Sequence, residues 1–144
     1  NLYESLSAYG LANHRHNSEI QQELDFHSKS KVKFIFTPHL TPMFRGILTT
    51  IYVDLNKKMN KIKVFKYLKN YYKNQPFIKI MKDSFLSTND VINTNFCNIS
   101  VCNSKNKDKL IILSSIDNLI KGGSGQAIQN MNKKFNFSDK MGLT

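Results

Sequence analysis

The chain has 144 residues, 40% of them hydrophobic and 22% charged, with a net charge of +11. This composition excludes a disordered chain, and no apolar run approaches the roughly 18 residues of a membrane span. Two cysteines, Cys97 and Cys102, are too few for a disulfide scaffold or a cysteine-rich zinc module.

The positive charge is made of lysine. Of 21 basic residues only Arg15 and Arg45 are arginine. Lysine, asparagine and isoleucine are what A+T-rich codons encode, so drift accounts for a solvated lysine surface. Nucleic-acid sites favour the bidentate arginine fork. The chain opens on Asn1, with no charged-then-apolar leader, which suggests a piece of a longer or processed protein.

In chain order, Leu6 to Ala12 reads as a short extended segment. Asn17 or Ser18 is placed to cap a short helix carrying Ile20 and Leu24 on one face. Val32, Phe34 and Phe36 recur at period two, which predicts a strand over Lys31 to Thr37. Pro38 and Pro42 then force an ordered loop from Thr37 to Gly46. Alternation from Ile47 to Leu55 predicts the next strand. Ile62, Phe65, Leu68 and Tyr72 mark a helix after a turn at Asn60, ended by Pro76. Phe77 to Met81, Phe96 to Cys102 and Leu110 to Ile116 read as strands, with an irregular polar stretch over 83–95. Asn118 to Asn132 reads as a helix with Leu119, Gly123, Ala127 and Met131 on one face. The pattern is α+β: a mostly antiparallel or mixed sheet covered by helices on one face.

Three segments carry candidate chemistry. His14-Arg15-His16 places two imidazoles around a guanidinium, with Glu19 close behind, the make-up of an acid/base site with an oriented histidine. The same pair is half a metal site, but no second cluster accompanies it, so no metal is expected. His27 lies in a polar turn and reads as solvated. In the loop at 37–46, His39 and Arg45 project from a rigid frame. Arginine there suits a carboxylate or phosphate, or equally the carbonyls of its own loop. The glycine-rich run at 121–126 is not a dinucleotide fingerprint. It suits close approach of a ligand or of another helix. Neither cysteine reads as a nucleophile.

Taken together, Asn13 to Ile20 (NHRHNSEI), Phe36 to Thr50 (FTPHLTPMFRGILTT) and Ser115 to Asn132 (SIDNLIKGGSGQAIQNMN) resemble the C-terminal part of the N-acetyl-gamma-glutamyl-phosphate reductase family. The similarity runs over nearly all of the chain. Aspartate-semialdehyde dehydrogenases share the Asp-Asn-Leu-x-Lys-Gly segment but not the other two in this form. Gly123 and Ser124 stand where alanines are common in the family, and Asn136 where glycine is usual, which fits a left-handed backbone there.

The resemblance implies a domain similar to the C-terminal domain of glyceraldehyde-3-phosphate dehydrogenase, cytoplasmic and in a homo-oligomer, dimer or tetramer. It implies NADPH-dependent reduction of N-acetyl-glutamyl 5-phosphate in arginine biosynthesis. It divides the chain into a catalytic and dimerisation domain over 1–116 and a C-terminal helix and tail over 117–144. The latter would pack on an N-terminal NADP-binding domain. That domain and the Pro-Gly-Cys nucleophile are not among the 144 residues. By the match, His14 or His16 is the acid/base group, with His14 favoured, and Glu19 orients it or meets the substrate. Arg15, Arg45 and His39 bind substrate; Asn118, Gly122, Gly123 and Gln126 lie by the cofactor. The alternatives are an aspartate-semialdehyde dehydrogenase-like reductase domain, a basic nucleic-acid-binding module, or a fragment serving only subunit association. The family reading implies no nucleic-acid or membrane partner.

Overall fold

The computed structural model describes residues 4–28 and 30–143. The chain forms two compact units, Asn1–Phe44 and Arg45–Thr144.

The first unit holds β1 (Ser7–Ala8), α1 (Arg15–His27) and β2 (His39–Leu40), with β1 and β2 antiparallel. α1 begins two or three residues before the expected cap at Asn17 or Ser18. His14 is the cap residue, and its Nδ1 accepts the His16 backbone N–H at 3.1 Å. An imidazole nitrogen thus does what a serine or asparagine oxygen does at other helix starts. The helix also runs on through His27, so that residue is in its last turn, 3.8 Å from Glu23, and not in a loop. The strand expected over Lys31 to Thr37 does not form. Its alternation is real, since Val32, Phe34 and Phe36 are half-buried between exposed neighbours. Period two reports which side is covered; a strand also needs a partner for its backbone groups.

The second unit is a four-stranded sheet in the order β3-β6-β5-β4. Its strands are β3 (Ile47–Asp54), β4 (Ile78–Lys82), β5 (Cys97–Asn103) and β6 (Lys109–Ile116). β3–β6 and β6–β5 are antiparallel and β5–β4 is parallel, so the sheet is mixed. α2 (Lys61–Tyr71) starts after the turn expected at Asn60, whose side chain caps it by accepting the Lys63 N–H, and lies against β4 and β5. It ends at Tyr71, well before Pro76. The register places Ile51, Ile112, Val101 and Ile80 on one face, and Tyr52, Ile111, Cys102 and Met81 on the other. Cys97 and Cys102 therefore sit on opposite faces, and both are free thiols. The core is centred on Phe77, Val91, Val101 and Leu110. β3 is an edge strand with Leu48 and Tyr52 exposed on the face they share with Leu113 and Ile111.

The helix expected over Asn118 to Asn132 is two pieces. Ile120–Ser124 is a wide π-type turn with N–H groups bonding five residues back, as Gly122 to Asp117 and Ser124 to Leu119. α3 (Gly125–Lys134) follows after a kink at Gly123. The buried face of α3 is Gly125, Gln129 and Asn132, whereas Leu119, Gly123, Ala127 and Met131 are exposed. A buried asparagine and glutamine pull the helix round because their amides meet polar partners. Asn95 Nδ2 donates to Gln129 Oε1 at 3.0 Å, and Asn132 Nδ2 to the Met141 carbonyl at 2.9 Å. Asn136 adopts φ +58°, the left-handed backbone expected of it.

Among the described residues no helix is long and apolar enough to cross a membrane.

Candidate functional site

In the first unit the His14-Arg15-His16 segment is folded by the turn into α1. The His14 and His16 rings meet edge-on with centroids 4.6 Å apart, and Tyr9 and Phe36 pack edge-on against His14. Nδ1 of His14 is engaged as the acceptor of the cap hydrogen bond, which leaves Nε2 outside that contact. His16 Nε2 lies 3.8 Å from Glu19 Oε2 in an exposed pair one turn along the helix. At that distance and exposure the pair contributes at most about 1 kcal/mol. Arg15 is exposed and, among the described residues, has no carboxylate partner. His39 is exposed on β2, its backbone opposite Ala8. No group of three or more histidine, cysteine or carboxylate residues converges as a metal site among the described residues.

In the second unit Arg45 and Asn118 are brought together by a residue that sequence reasoning passed over. Asp117 directly follows β6, with its side chain fully buried. Its Oδ2 accepts from Arg45 Nη1 at 2.9 Å and from the Asn93 backbone N–H at 2.9 Å. Its Oδ1 accepts from the N–H groups of Leu119 at 2.8 Å and Ile120 at 3.0 Å. Burial alone would raise the Asp117 pKa. The hydrogen bonds from Asn93, Arg45, Leu119 and Ile120 outweigh it and bring the pKa down to about 2. The anion that Arg45 grips is therefore the protein's own, and one edge of its guanidinium is already committed. The signal for Asp117 was available: an aspartate just before a helical pattern is the ordinary mark of a helix start.

Asn118 Oδ1 accepts the Gly46 N–H at 2.7 Å, fastening the start of β3 to the same turn. Gly46 has φ +111°, and a Cβ there would lie 2.5 Å from the Thr88 Cβ. Gly46→Ala is expected to cost about 2–4 kcal/mol, from overpacking and from a strained left-handed backbone together. Chemical denaturation measures it, and a loss under about 1 kcal/mol would mean that the short helical turn Thr88–Asp90, which carries Thr88, gives way.

In the glycine-rich run, only Gly125 is demanded by packing. A Cβ on it would fall 2.5 Å from Asn95 Oδ1 and 2.6 Å from Ile120 Cγ2. Gly122 and Gly123 are exposed, and Gln126 donates along its helix to Asn130 at 2.8 Å. Lys121 turns inward: its Nζ donates to Gln129 Oε1 at 2.8 Å and lies 5.8 Å above the Phe77 ring. Burial lowers its pKa. The segment thus offers a surrounding body small side chains and bare backbone in place of positive charge.

Comparison with known proteins places this geometry. A family model described as "Semialdehyde dehydrogenase, dimerisation domain" matches residues 1–118. The chain is 44% identical over 140 residues to an N-acetyl-gamma-glutamyl-phosphate reductase of Clostridium novyi, covering 97% of this chain and 40% of that one. It is 42% identical over its full length to one from Methanococcus maripaludis, and 45% identical over 99% of its length to one from Staphylococcus aureus. The chain spans about two-fifths of the length of these relatives. Among solved structures, an aspartate semialdehyde dehydrogenase from Francisella tularensis superposes with a TM-score of 0.58 at 16% identity, over 81% of this chain and 33% of that one. An aspartate semialdehyde dehydrogenase II from Vibrio cholerae does so with a TM-score of 0.52 at 18% identity, over 64% of this chain and 28% of that one. The mixed sheet and the match over most of the sequence agree: the chain belongs to the semialdehyde dehydrogenase dimerisation-domain family.

Proposed function

We propose that the chain is the C-terminal part of an enzyme that reduces N-acetyl-glutamyl 5-phosphate to N-acetyl-glutamate 5-semialdehyde, releasing phosphate, in arginine biosynthesis. The observation that carries this reading is the similarity of 42–45% identity, over 97–100% of the chain, to reductases of that name. Aspartate semialdehyde dehydrogenases reach only 16–18% here, which supports the fold and no particular substrate.

In this reading a thiol from the preceding part of the enzyme attacks the acyl phosphate, and a bound NADPH supplies the hydride that reduces the resulting thioester. His14 moves the protons through Nε2, its Nδ1 being engaged by the helix start. Glu19 biases His16, the neighbouring ring. Arg15 and His39, both exposed, meet the substrate's carboxylate or phosphate. Arg45 contributes only through the N–H groups that Asp117 leaves over.

The dinucleotide is held chiefly by an N-terminal domain. The 118–126 segment fits a supporting part, because Gly122 and Gly123 are exposed while its one ammonium, Lys121, faces inward. Residues 117–144 then lie against that domain through the exposed stripe of Leu119, Gly123, Ala127 and Met131. Copies associate through the exposed face of β3 and β6, where Leu48 and Tyr52 sit beside Ile111 and Leu113. The enzyme works in the cytoplasm.

The test is a steady-state assay with NADPH on the full-length protein and on these 144 residues alone. The full-length protein is expected to turn over N-acetyl-glutamyl phosphate well ahead of aspartyl phosphate, and the shorter chain neither. Preference for aspartyl phosphate, or turnover by the shorter chain, would overturn the assignment.

A further inference from the structure

At the end of the sheet away from Asp117, where Asp54 pairs with Lys109, lies a cleft of about 650 Å³. Seven strand steps at about 3.3 Å each separate it from the Ile47–Ile116 end, roughly 23 Å. Lys61 from the start of α2, Lys82 from the end of β4, and Lys105, Lys107 and Lys109 from the β5–β6 hairpin all line it. Its floor includes Leu110, 1% exposed.

Two carboxylates offset part of this charge. Lys61 Nζ pairs with Asp83 at 2.6 Å, and Lys109 pairs with Asp54. Asp83, which is exposed, has its pKa lowered mainly by the Lys61 hydrogen bond, with Lys82 adding to the effect. Asp108 sits in the same turn but does not line the cleft. Five lysines against two aspartates leave three positive charges, and Lys82, Lys105 and Lys107 have no direct ion pair among the described residues.

Compositional drift explains why the chain holds many lysines. It does not explain why five of them, from three separate elements, converge on one concavity. Like charges held there repel one another, and a bound anion relieves that repulsion. The lining points to the kind of anion. Ammonium groups are point charges that suit phosphate oxygens without demanding a planar partner. Among the described residues no aromatic side chain lines the cleft, so a base has nothing there to stack on. The volume falls in the range of small-molecule sites.

We propose that this cleft binds a small oligophosphate, recognised through its chain of negative charge and not through an attached base.

Isothermal titration of the purified protein with sodium tripolyphosphate, at fixed ionic strength, tests this. The expected result is saturable binding at one site per chain. The triple variant Lys82→Gln, Lys105→Gln, Lys107→Gln should bind at least tenfold more weakly with an unchanged circular dichroism spectrum. A variant with equal charge loss on exposed lysines of α2 and the turn that follows it, Lys66→Gln, Lys69→Gln, Lys73→Gln, should stay within about twofold of the parent. ATP should bind within about threefold of tripolyphosphate. No saturable binding, or equal weakening in both triple variants, would overturn the proposal. So would a large preference for ATP, or for a single-stranded oligonucleotide, since either requires recognition of a base.

Discussion

Replacing His14 with Asn in the full-length enzyme is expected to lower turnover about 10²–10⁴-fold, the usual contribution of a general acid–base group. The substitution is chosen for what it preserves. His14 caps α1 by accepting the His16 N–H, and asparagine is among the best residues at a helix cap. The start of the helix therefore survives while the titratable nitrogen is lost. Unfolding midpoints should be nearly unchanged, which separates loss of chemistry from loss of fold. His14→Ala removes the cap as well and should add about 0.5–2 kcal/mol of destabilisation to the same kinetic defect. His16→Asn should do less than His14→Asn. Collapse for His16→Asn beside near-normal turnover for His14→Asn would reverse the assignment. In that case the contact between His16 and Glu19 marks the working pair.

The second large effect falls on stability. Asp117→Ala is expected to cost about 3–5 kcal/mol, the usual consequence of removing one partner of a buried ion pair. Four donors, from Arg45, Asn93, Leu119 and Ile120, would lose their acceptor at once. Urea denaturation near neutral pH measures the loss. Below 1 kcal/mol, it would show that water replaces the carboxylate. The native protein carries a matching pH dependence. The folded pKa of Asp117, about 2, lies below the ordinary value of 3.8. The stability it contributes is therefore complete above about pH 4 and is lost as the pH falls through 2. In Asp117→Asn that part of the acid-induced decline should be absent, although the variant starts from lower stability.

The strands of the second unit were legible in the sequence because each alternates in a way that the sheet uses. Ile47, Thr49, Ile51 and Val53 of β3 face one side together and pair in register with β6. α2 was legible from its helical apolar stripe and from the turn at Asn60 that precedes it. Alternation over 31–37 misled because burial on one side needs no neighbouring strand. The start of α1 misled because histidine is a rare cap, and only the turn that brings Nδ1 back to the His16 N–H makes it one.

By itself the sequence determined the three motifs, their family and the residue types that bear the chemistry. The tertiary structure decided which of those residues are already engaged. Arg45 and Asp117 are 72 positions apart and meet only because β3 and β6 pair with Ile47 opposite Ile116. No local periodicity carries that contact. The inner face of α3 was decided in the same way. An apolar stripe at helical spacing names one face, yet Gln129 and Asn132 are buried on another because Asn95 and Met141 offer hydrogen bonds there. A polar group is worth burying only where its partners are, and partners distant in the chain are fixed by the fold.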